Sequence, residues 1–168
     1  MLKLLGICVL FLSARIFYEN ILDKKETHIK KTEDIIMFIN LVYINVIELN
    51  MPLPLAVSSL KFRISSFIDG FVEKFNEYCE KDKQKSPREA MVKVFSFLDA
   101  DKKIKREAQQ FLQVVGMVDK ETTVNYKKTA VRECEKLLTE HKNNFEKNKK
   151  TAGALTFGLS SVLVIILI

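Results

Sequence analysis

The side chains that most often perform catalysis or hold metal ions are scarce in this sequence. Its two histidines, His28 and His141, lie far apart, and neither has a second ligand at the i,i+4 spacing of a helical metal site. Residues 99–101 (Asp-Ala-Asp) begin like a calcium loop, but Lys103 and Ile104 break the pattern and no glycine follows. The sequence has neither a glycine-rich phosphate loop nor a GxSxG nucleophile motif. We therefore predict a non-enzymatic protein with no catalytic residue, no metal and no cofactor.

The cysteines and the charge balance point away from two further classes of protein. Cys8, Cys79 and Cys134 are too few and too widely spaced for a disulfide framework or a CxxC site, so we expect free thiols in a reducing compartment. The 27 lysines and arginines are interspersed with 21 aspartates and glutamates, which is typical of a solvated helical surface. A nucleic-acid-binding patch is the less favoured alternative, and we predict no nucleic-acid partner.

Both ends of the chain are apolar enough to lie in a membrane. Residues 151–168 carry no charged side chain, and as a helix they would be about 27 Å long against a hydrocarbon core of about 30 Å. Residues 1–18 carry only Lys3 and Arg15. They also resemble the apolar part of a cleaved signal peptide, but Leu12 stands where cleavage needs a small residue. We predict transmembrane helices at 1–18 and 151–168, in contact with membrane lipid.

Lysines next to the two predicted spans indicate how the chain is oriented. Four follow the first span and four precede the second, all on the side of the central segment, whereas the opposite side has only Lys3, near the start of the first span. The eight are Lys24, Lys25, Lys30, Lys31, Lys142, Lys147, Lys149 and Lys150. By the positive-inside rule, both termini lie outside the cytoplasm and residues 19–150 form a cytoplasmic domain.

The second predicted span contains a small-xxx-small pair, Ala154 and Gly158, with Ser161 near the same face. Such residues let the backbones of two helices approach closely, so these three are candidates for helix–helix packing in the membrane. Ordinary use of small residues in a span explains the pattern equally well. The sequence leaves open whether the chain forms a homo-oligomer.

The segment between the spans has the composition and periodicity of helices. Glycine occurs there only at Gly70 and Gly116, and lysine, glutamate and leucine are abundant. Asn40, Asn45 and Glu48 favour a core helix over a third span for the first apolar stretch. Recurrence of apolar residues every three or four positions predicts a compact bundle of about six helices, whose first and last members continue into the spans. The stretches are marked by Ile35, Phe38, Ile39, Val42, Val46 and Leu49; by Leu55, Leu60 and Phe62; by Ile68, Phe71, Val72, Phe75 and Tyr78; by Ala90, Met91, Val94 and Leu98; by Ile104, Ala108, Phe111, Leu112 and Val115; and by Tyr126, Ala130, Cys134, Leu137, His141 and Phe145.

Residues that end or cap helices separate these stretches. Prolines stop one helix and open the next, serine and aspartate accept hydrogen bonds from a first helical turn, and glycine adopts the left-handed conformation after a last turn. The SPRE tetrapeptide at residues 86–89 is a capping box with proline at the first helical position. The predicted boundary residues are Pro52 and Pro54, Ser65 or Ser66, Ser86, Gly116 and Asp119.

Three short segments and the arrangement of the chain resemble one known family. Residues 52–56 read PLPLA, residues 86–90 read SPREA, and residues 111–119 read FLQVVGMVD. Together with a short first span, a helical domain and a lysine-rich approach to a final span, these segments resemble stage III sporulation protein AB of endospore-forming Firmicutes. The resemblance covers essentially the whole chain.

This resemblance implies a fold and a role. The family is similar to the cytoplasmic F domain of type II secretion and type IV pilus platform proteins, an all-α six-helix bundle. It implies a non-enzymatic platform subunit of the sporulation channel, in the mother-cell or outer forespore membrane. The implied partners are a secretion-type ATPase similar to stage III sporulation protein AA, and the other channel subunits. The alternative function is a stand-alone membrane-anchored adaptor or envelope tether.

Basic residues on the fourth and fifth predicted helices are candidates for docking such an ATPase. The alternative is that their charges only keep the surface soluble. The candidates are Arg88, Lys93, Lys102, Lys105 and Arg106.

Overall fold

The computed structural model describes residues 2–81, 86–117 and 119–167, with side chains at residues 12, 13, 15, 16, 18–81, 86–117 and 119–151. Within this part the chain forms α-helices and one π-helical turn, and no strand. The helices are α1 (Leu2–Tyr43), α2 (Leu53–Ser58), α3 (Ser66–Lys81), α4 (Pro87–Ser96), α5 (Lys102–Val114) and α6 (Lys120–Leu167), and the π-helical turn is Ile44–Glu48. The predicted all-α architecture is confirmed.

The chain divides into two compact units. The central unit is Lys30–Leu138, and the terminal unit combines Met1–Ile29 with Thr139–Ile168. The central unit therefore contains α2 to α5 with parts of α1 and α6. The predicted domain 19–150 includes all of this unit, and its exact boundaries remain predictions.

Three phenylalanines from three helices form the middle of the central unit's core. Phe38 of α1 meets Phe71 of α3 edge to face, with 5.1 Å between the ring centroids and 78° between the ring planes. Phe95 of α4 meets Phe71 in the same way at 5.7 Å. None of the three rings is more than 1% exposed. Because edge-to-face pairs add about 0.5–1.5 kcal/mol to the burial of the rings, this cluster holds α1, α3 and α4 together.

Most of the predicted apolar positions lie in this core, whereas His141 and Phe145 are half-buried in the terminal unit and four positions are exposed. Leu49, Leu55, Phe62 and Tyr126 are 61%, 56%, 82% and 42% exposed. The expectation that they continue the buried stripes was wrong. Leu49 and Phe62 follow the ends of helices, so the helical period no longer determines where their side chains lie.

The π-helical turn at the end of α1 was not predicted. The amide of Leu49 donates to the carbonyl of Ile44, five residues back, at 2.9 Å. Asn45, only 5% exposed, connects this turn to α2. Its Nδ2 donates to the Ala56 carbonyl at 3.2 Å and to Ser59 Oγ at 3.0 Å. The buried amide group of Asn45 thus has its hydrogen bonds satisfied by α2 and the residue that follows it.

The predicted caps at three helix ends are confirmed. Ser86 Oγ accepts from the Glu89 amide at 3.2 Å at the start of α4. Asp119 Oδ1 accepts from the Thr122 amide at 2.8 Å at the start of α6. Gly116 has a φ of 74° just beyond α5, which is the left-handed conformation expected of a glycine at that position.

Of the two serines predicted to cap α3, Ser65 occupies the capping position. Its Oγ lies 3.5 Å from the amide of Ile68, and its carbonyl accepts from the amide of Asp69 at 2.9 Å. The same hydroxyl donates to the carboxylate of Asp34 at 2.7 Å. Ser65 therefore both starts α3 and connects it to α1.

In the terminal unit, α1 and α6 are hydrogen-bonded to each other. The Tyr18 hydroxyl donates to the Asn148 carbonyl at 2.5 Å. One turn before Tyr18, Arg15 Nε pairs with Glu19 Oε1 at 3.0 Å. Tyr18 is the last residue of the first segment predicted to span the membrane, and Asn148 lies three residues before the second, so this contact joins the two helices where the predicted spans meet the domain.

The predicted spans themselves, residues 1–18 and 151–168, fall mostly on residues whose side chains lie outside the described part. The same holds for Ala154, Gly158 and Ser161. Over the residues that the structure describes, no helix has a stretch long and apolar enough to cross a membrane. The spans and the packing role of the three small residues remain predictions.

Candidate partner-binding surface

The basic residues predicted to dock a partner lie on two helices that pack against each other, α4 and α5. The Ser86 cap fixes the first turn of α4, so Arg88 lies at its very start. A connection of five residues, 97–101, separates the two helices, and Asp101 caps α5 by accepting from the Lys103 amide at 2.7 Å. The positions are Arg88 and Lys93 on α4, and Lys102, Lys105 and Arg106 on α5.

Two of these lysines have contacts within the bundle. Lys93 Nζ donates to the Tyr78 hydroxyl at 3.1 Å and lies 5.2 Å from the centre of the Tyr78 ring, which connects α4 to α3. Lys105 Nζ donates to the carbonyls of Ser96 and Leu98, both at 3.1 Å. A cation at this position satisfies carbonyls at the end of α4. Both lysines therefore stabilise the fold, whatever they bind.

Arg106 and Lys102 present charge at the surface of α5. Arg106 donates to Glu107 Oε1 from Nε at 3.0 Å and from Nη2 at 2.8 Å. Glu107 is only 8% exposed, and this ion pair offsets the cost of burying its carboxylate. The Arg106 side chain is nevertheless 68% exposed. Lys102, the first residue of α5, is also exposed.

A cleft of about 370 Å³ lies between α4 and α5. Gln109 Nε2 donates to the Val92 carbonyl across it at 3.3 Å. Only two predicted residues, Arg88 and Lys93, line this cleft. Sequence reasoning missed the glutamines, although their i,i+4 spacing on α5 places them on one helical face. The lining residues are Arg88, Glu89, Val92, Lys93, Ser96, Gln109 and Gln113.

A second cleft, of about 440 Å³, lies where the segments 52–56, 86–90 and 111–119 meet. These segments are far apart in the sequence, and nothing in their local patterns predicts that they form one cleft. Arg88 lines this cleft as well as the first. The other lining residues are Val46, Ile47, Asn50, Met51, Pro52, Leu53, Val115, Gly116 and Met117.

A carboxylate at the end of the π-helical turn receives two hydrogen bonds. The Tyr43 hydroxyl donates to Glu48 Oε1 at 2.8 Å, and Lys120 Nζ donates to Glu48 Oε2 at 3.1 Å. The bond from Tyr43, followed by that from Lys120, lowers the pKa of Glu48. The bond to the carboxylate raises the pKa of Tyr43. The three residues form a charged contact between α6 and the end of α1.

The two histidines line one cleft of the terminal unit. His28 and His141 share a cleft of about 260 Å³ with Lys25, Asn144 and the apolar residues Ile29 and Phe145. His28 is exposed, whereas His141, predicted as a packing residue, is half-buried. Among the residues that the structure describes, no three His, Cys, Asp or Glu side chains come close enough together to hold a metal ion.

The fold and its clefts define a helical domain with concave surfaces between packed helices. The family model that matches this chain is that of stage III sporulation protein AB, and the match covers residues 3–168. The chain therefore belongs to the stage III sporulation protein AB family, as the three segments predicted, and is a protein of stage III of sporulation. No curated protein and no solved structure showed a significant match.

Proposed function

We propose that this chain is a membrane platform subunit of the channel between mother cell and forespore. Its helical domain, similar to the F domain of type II secretion platform proteins, docks a secretion-type ATPase related to stage III sporulation protein AA. The domain lies in the cytoplasm, and both termini lie on the other side of the mother-cell or outer forespore membrane.

The observation that carries this proposal is the mixed polar and cationic surface of α4 and α5. Lys102 and Arg106 expose their charge, and the adjacent cleft offers the amide of Gln113 and the cations of Arg88 and Lys93. Charged groups around a concave surface increase the association rate and the specificity for a partner of opposite charge. Such a site suits a partner that has a polar surface and that dissociates after each round of ATP hydrolysis.

The pairing of α1 with α6 supports the membrane part of the proposal. The hydrogen bond from Tyr18 to Asn148 joins the helices at the end of residues 1–18 and just before residues 151–168. Two spans that continue from these helices enter the membrane next to each other. They hold the domain at the membrane through its first and last helices.

Binding is tested with the full chain in detergent and the purified ATPase, with ATP, with ADP and without nucleotide. We expect the ATPase to co-purify with the chain in at least one nucleotide state. The double variant Lys102→Glu/Lys103→Glu should bind at least about tenfold more weakly, because it reverses two exposed charges in the first turn of α5. The matched control, Lys128→Glu/Lys136→Glu, makes the same charge change on exposed residues of α6.

Two results would refute this part of the proposal. Absence of binding in every nucleotide state would reject docking of the ATPase. Equal weakening by the two double variants would reject α4 and α5 as the docking surface.

Topology is tested by placing a reporter at each terminus and at residue 83 within the domain. We expect the terminal reporters outside the cytoplasm and the internal reporter inside it, because the lysines flank the spans on the domain side. A terminal reporter found in the cytoplasm would contradict the proposed arrangement.

A further inference from the structure

The second cleft has the features of a binding groove for a partner segment. It is formed by the π-helical turn, the connection to α2, the first turn of α4 and the end of α5, all in the central unit. Its volume of about 440 Å³ lies in the range, about 300–1,000 Å³, of pockets that enclose small ligands. It can therefore enclose a few side chains of a partner.

Apolar side chains form part of the wall of this groove, beside polar groups, and continue into exposed apolar residues. Val46, Ile47 and Leu53 line it, and Met117 at its edge is 66% exposed. Leu49, on the same connection, is 61% exposed. Apolar surface gathered around a concavity marks an interaction site more often than single exposed apolar residues do.

The backbone around the groove is held in place before any partner binds. The amide of Met51 donates to the carbonyl of Asn45 at 2.9 Å, and Asn45 is in turn bonded to α2. Asn50 and Gly116, on two sides of the groove, have φ values of 53° and 74°. A groove whose shape is already fixed binds a partner with a smaller entropic cost.

The charge of the groove comes from Arg88. Among the described residues that line the groove, Arg88 alone carries a charged side chain. Its Nη2 donates to the Val115 carbonyl at 3.4 Å, near the outer limit of a hydrogen bond. Its Nε is buried without a hydrogen-bond partner in the described part of the chain. Within that part, the guanidinium has no carboxylate partner.

We propose that this groove binds a short segment of a partner protein in which a glutamate or aspartate lies beside an apolar side chain. The apolar side chain occupies the groove between Val46 and Met117, and the carboxylate accepts hydrogen bonds from Arg88. A carboxylate matches the planar fork of a guanidinium and supplies the anionic partner that Arg88 lacks within the described part of the chain. This inference does not depend on which protein supplies the segment.

In the test, fluorescence anisotropy measures the binding of three capped, dye-labelled heptapeptides to the full chain in detergent. Each peptide has two leucines in a serine background, with glutamate, glutamine or lysine between them. We expect the glutamate peptide to bind at least about tenfold more tightly than the glutamine peptide, and the lysine peptide not to bind. Equal affinity for all three peptides would overturn the proposal.

Two variants locate the binding. Arg88→Met keeps an apolar stem and removes the guanidinium, so it should reduce the affinity for the glutamate peptide to that for the glutamine peptide. Met117→Glu adds a competing carboxylate at an exposed position and should weaken binding of the same peptide without affecting the fold. The matched controls are Arg63→Met and Met37→Glu, at exposed positions that do not line the groove.

Two further measurements distinguish the partner segment from other occupants of the groove. Self-association of the chain that Arg88→Met abolishes, measured by analytical ultracentrifugation, would replace the partner segment with a second copy. Binding to vesicles with anionic lipid that depends on Arg88, without binding to the glutamate peptide, would replace it with lipid headgroups. Either result overturns the proposal.

Discussion

Gly116 and Val46 pack so closely that a Cβ atom at residue 116 would lie 3.3 Å from Val46 Cγ1. This contact joins the turn after α5 to the π-helical turn after α1, at the second cleft. Gly116 also has a φ of 74°, a backbone conformation that residues with a side chain rarely adopt. Two independent constraints, backbone conformation and lack of space, therefore require glycine at this position.

We predict that Gly116→Ala destabilises the protein by more than about 1 kcal/mol, because both constraints are violated. Gly70→Ala is the matched control: Gly70 lies within α3, and a Cβ there meets no atom within 4 Å. We expect that control to stabilise the protein by about 0.5–1 kcal/mol, since alanine is the better helix former. Urea unfolding of the full chain in mild detergent measures both. Equal effects of the two substitutions would contradict the role assigned to Gly116.

Local signals in the sequence were sufficient to predict several of the helix ends. Ser86, Gly116 and Asp119 act through hydrogen bonds and backbone conformations confined to a few neighbouring residues. The apolar stripes, such as the one that contains Phe71 and Phe75, were predicted correctly for a similar reason. Helical periodicity indicates which face of a helix is apolar.

The features that sequence reasoning missed depend on contacts between distant segments. Asn45 connects the π-helical turn to α2 through bonds to Ala56 and Ser59, and a polar residue in an apolar stretch does not reveal those partners. Arg88 was predicted as a surface charge, whereas it lines two clefts and contacts Val115. No periodicity or cap rule brings these partners together, since their approach follows from the packing of the whole bundle.

The cap of α4 is open to a direct test. We predict that Ser86→Ala costs about 1 kcal/mol of stability, because the Glu89 amide loses its acceptor. Ser66→Ala is the control, since Ser66 is exposed in the first turn of α3 and its hydroxyl has no hydrogen bond within the described part. That control should change the free energy of unfolding by no more than about 0.5 kcal/mol. A cost for Ser66→Ala as large as for Ser86→Ala would contradict the assigned cap.

The aromatic cluster should dominate the stability of the central unit. We predict that Phe71→Ala costs about 3–5 kcal/mol, because it removes a buried ring that contacts both Phe38 and Phe95. Phe62→Asn removes a ring that is 82% exposed, at a φ of 63° that asparagine tolerates well. We expect it to be neutral within about 0.5 kcal/mol. Urea unfolding measures the stability of both variants. A small loss of stability in Phe71→Ala would show that the cluster is not the centre of the core.

The carboxylate of Glu48 makes the stability dependent on pH. Since the bonds from Tyr43 and Lys120 lower its pKa in the folded protein below the ordinary value of 4.5, its contribution is present above pH 4.5. The contribution is lost as the pH falls through the folded pKa. We therefore expect Glu48→Gln to lower Tm at pH 7, and this decrease should become smaller as the pH falls below 4.5. The control is Glu77→Gln, which breaks only an exposed i,i+4 pair with Lys81. A Tm difference for Glu48→Gln that does not change with pH would contradict this role.

The buried thiol of Cys134 should be inert in the folded protein. Burial, followed by the negative charge of Glu107 and of the neighbouring glutamates, raises the pKa of Cys134 to about 12. At pH 8 about one thiol in ten thousand is then ionised, and the thiolate is the reactive form. Burial also raises the pKa of Cys79, but that side chain is half-buried and more accessible. We predict that iodoacetamide modifies Cys79 first and reaches Cys134 only as the protein unfolds, as measured by mass spectrometry of the digested chain. Denaturing urea should make the two rates equal, and modification of Cys134 before Cys79 in the folded protein would show that α6 opens at this position.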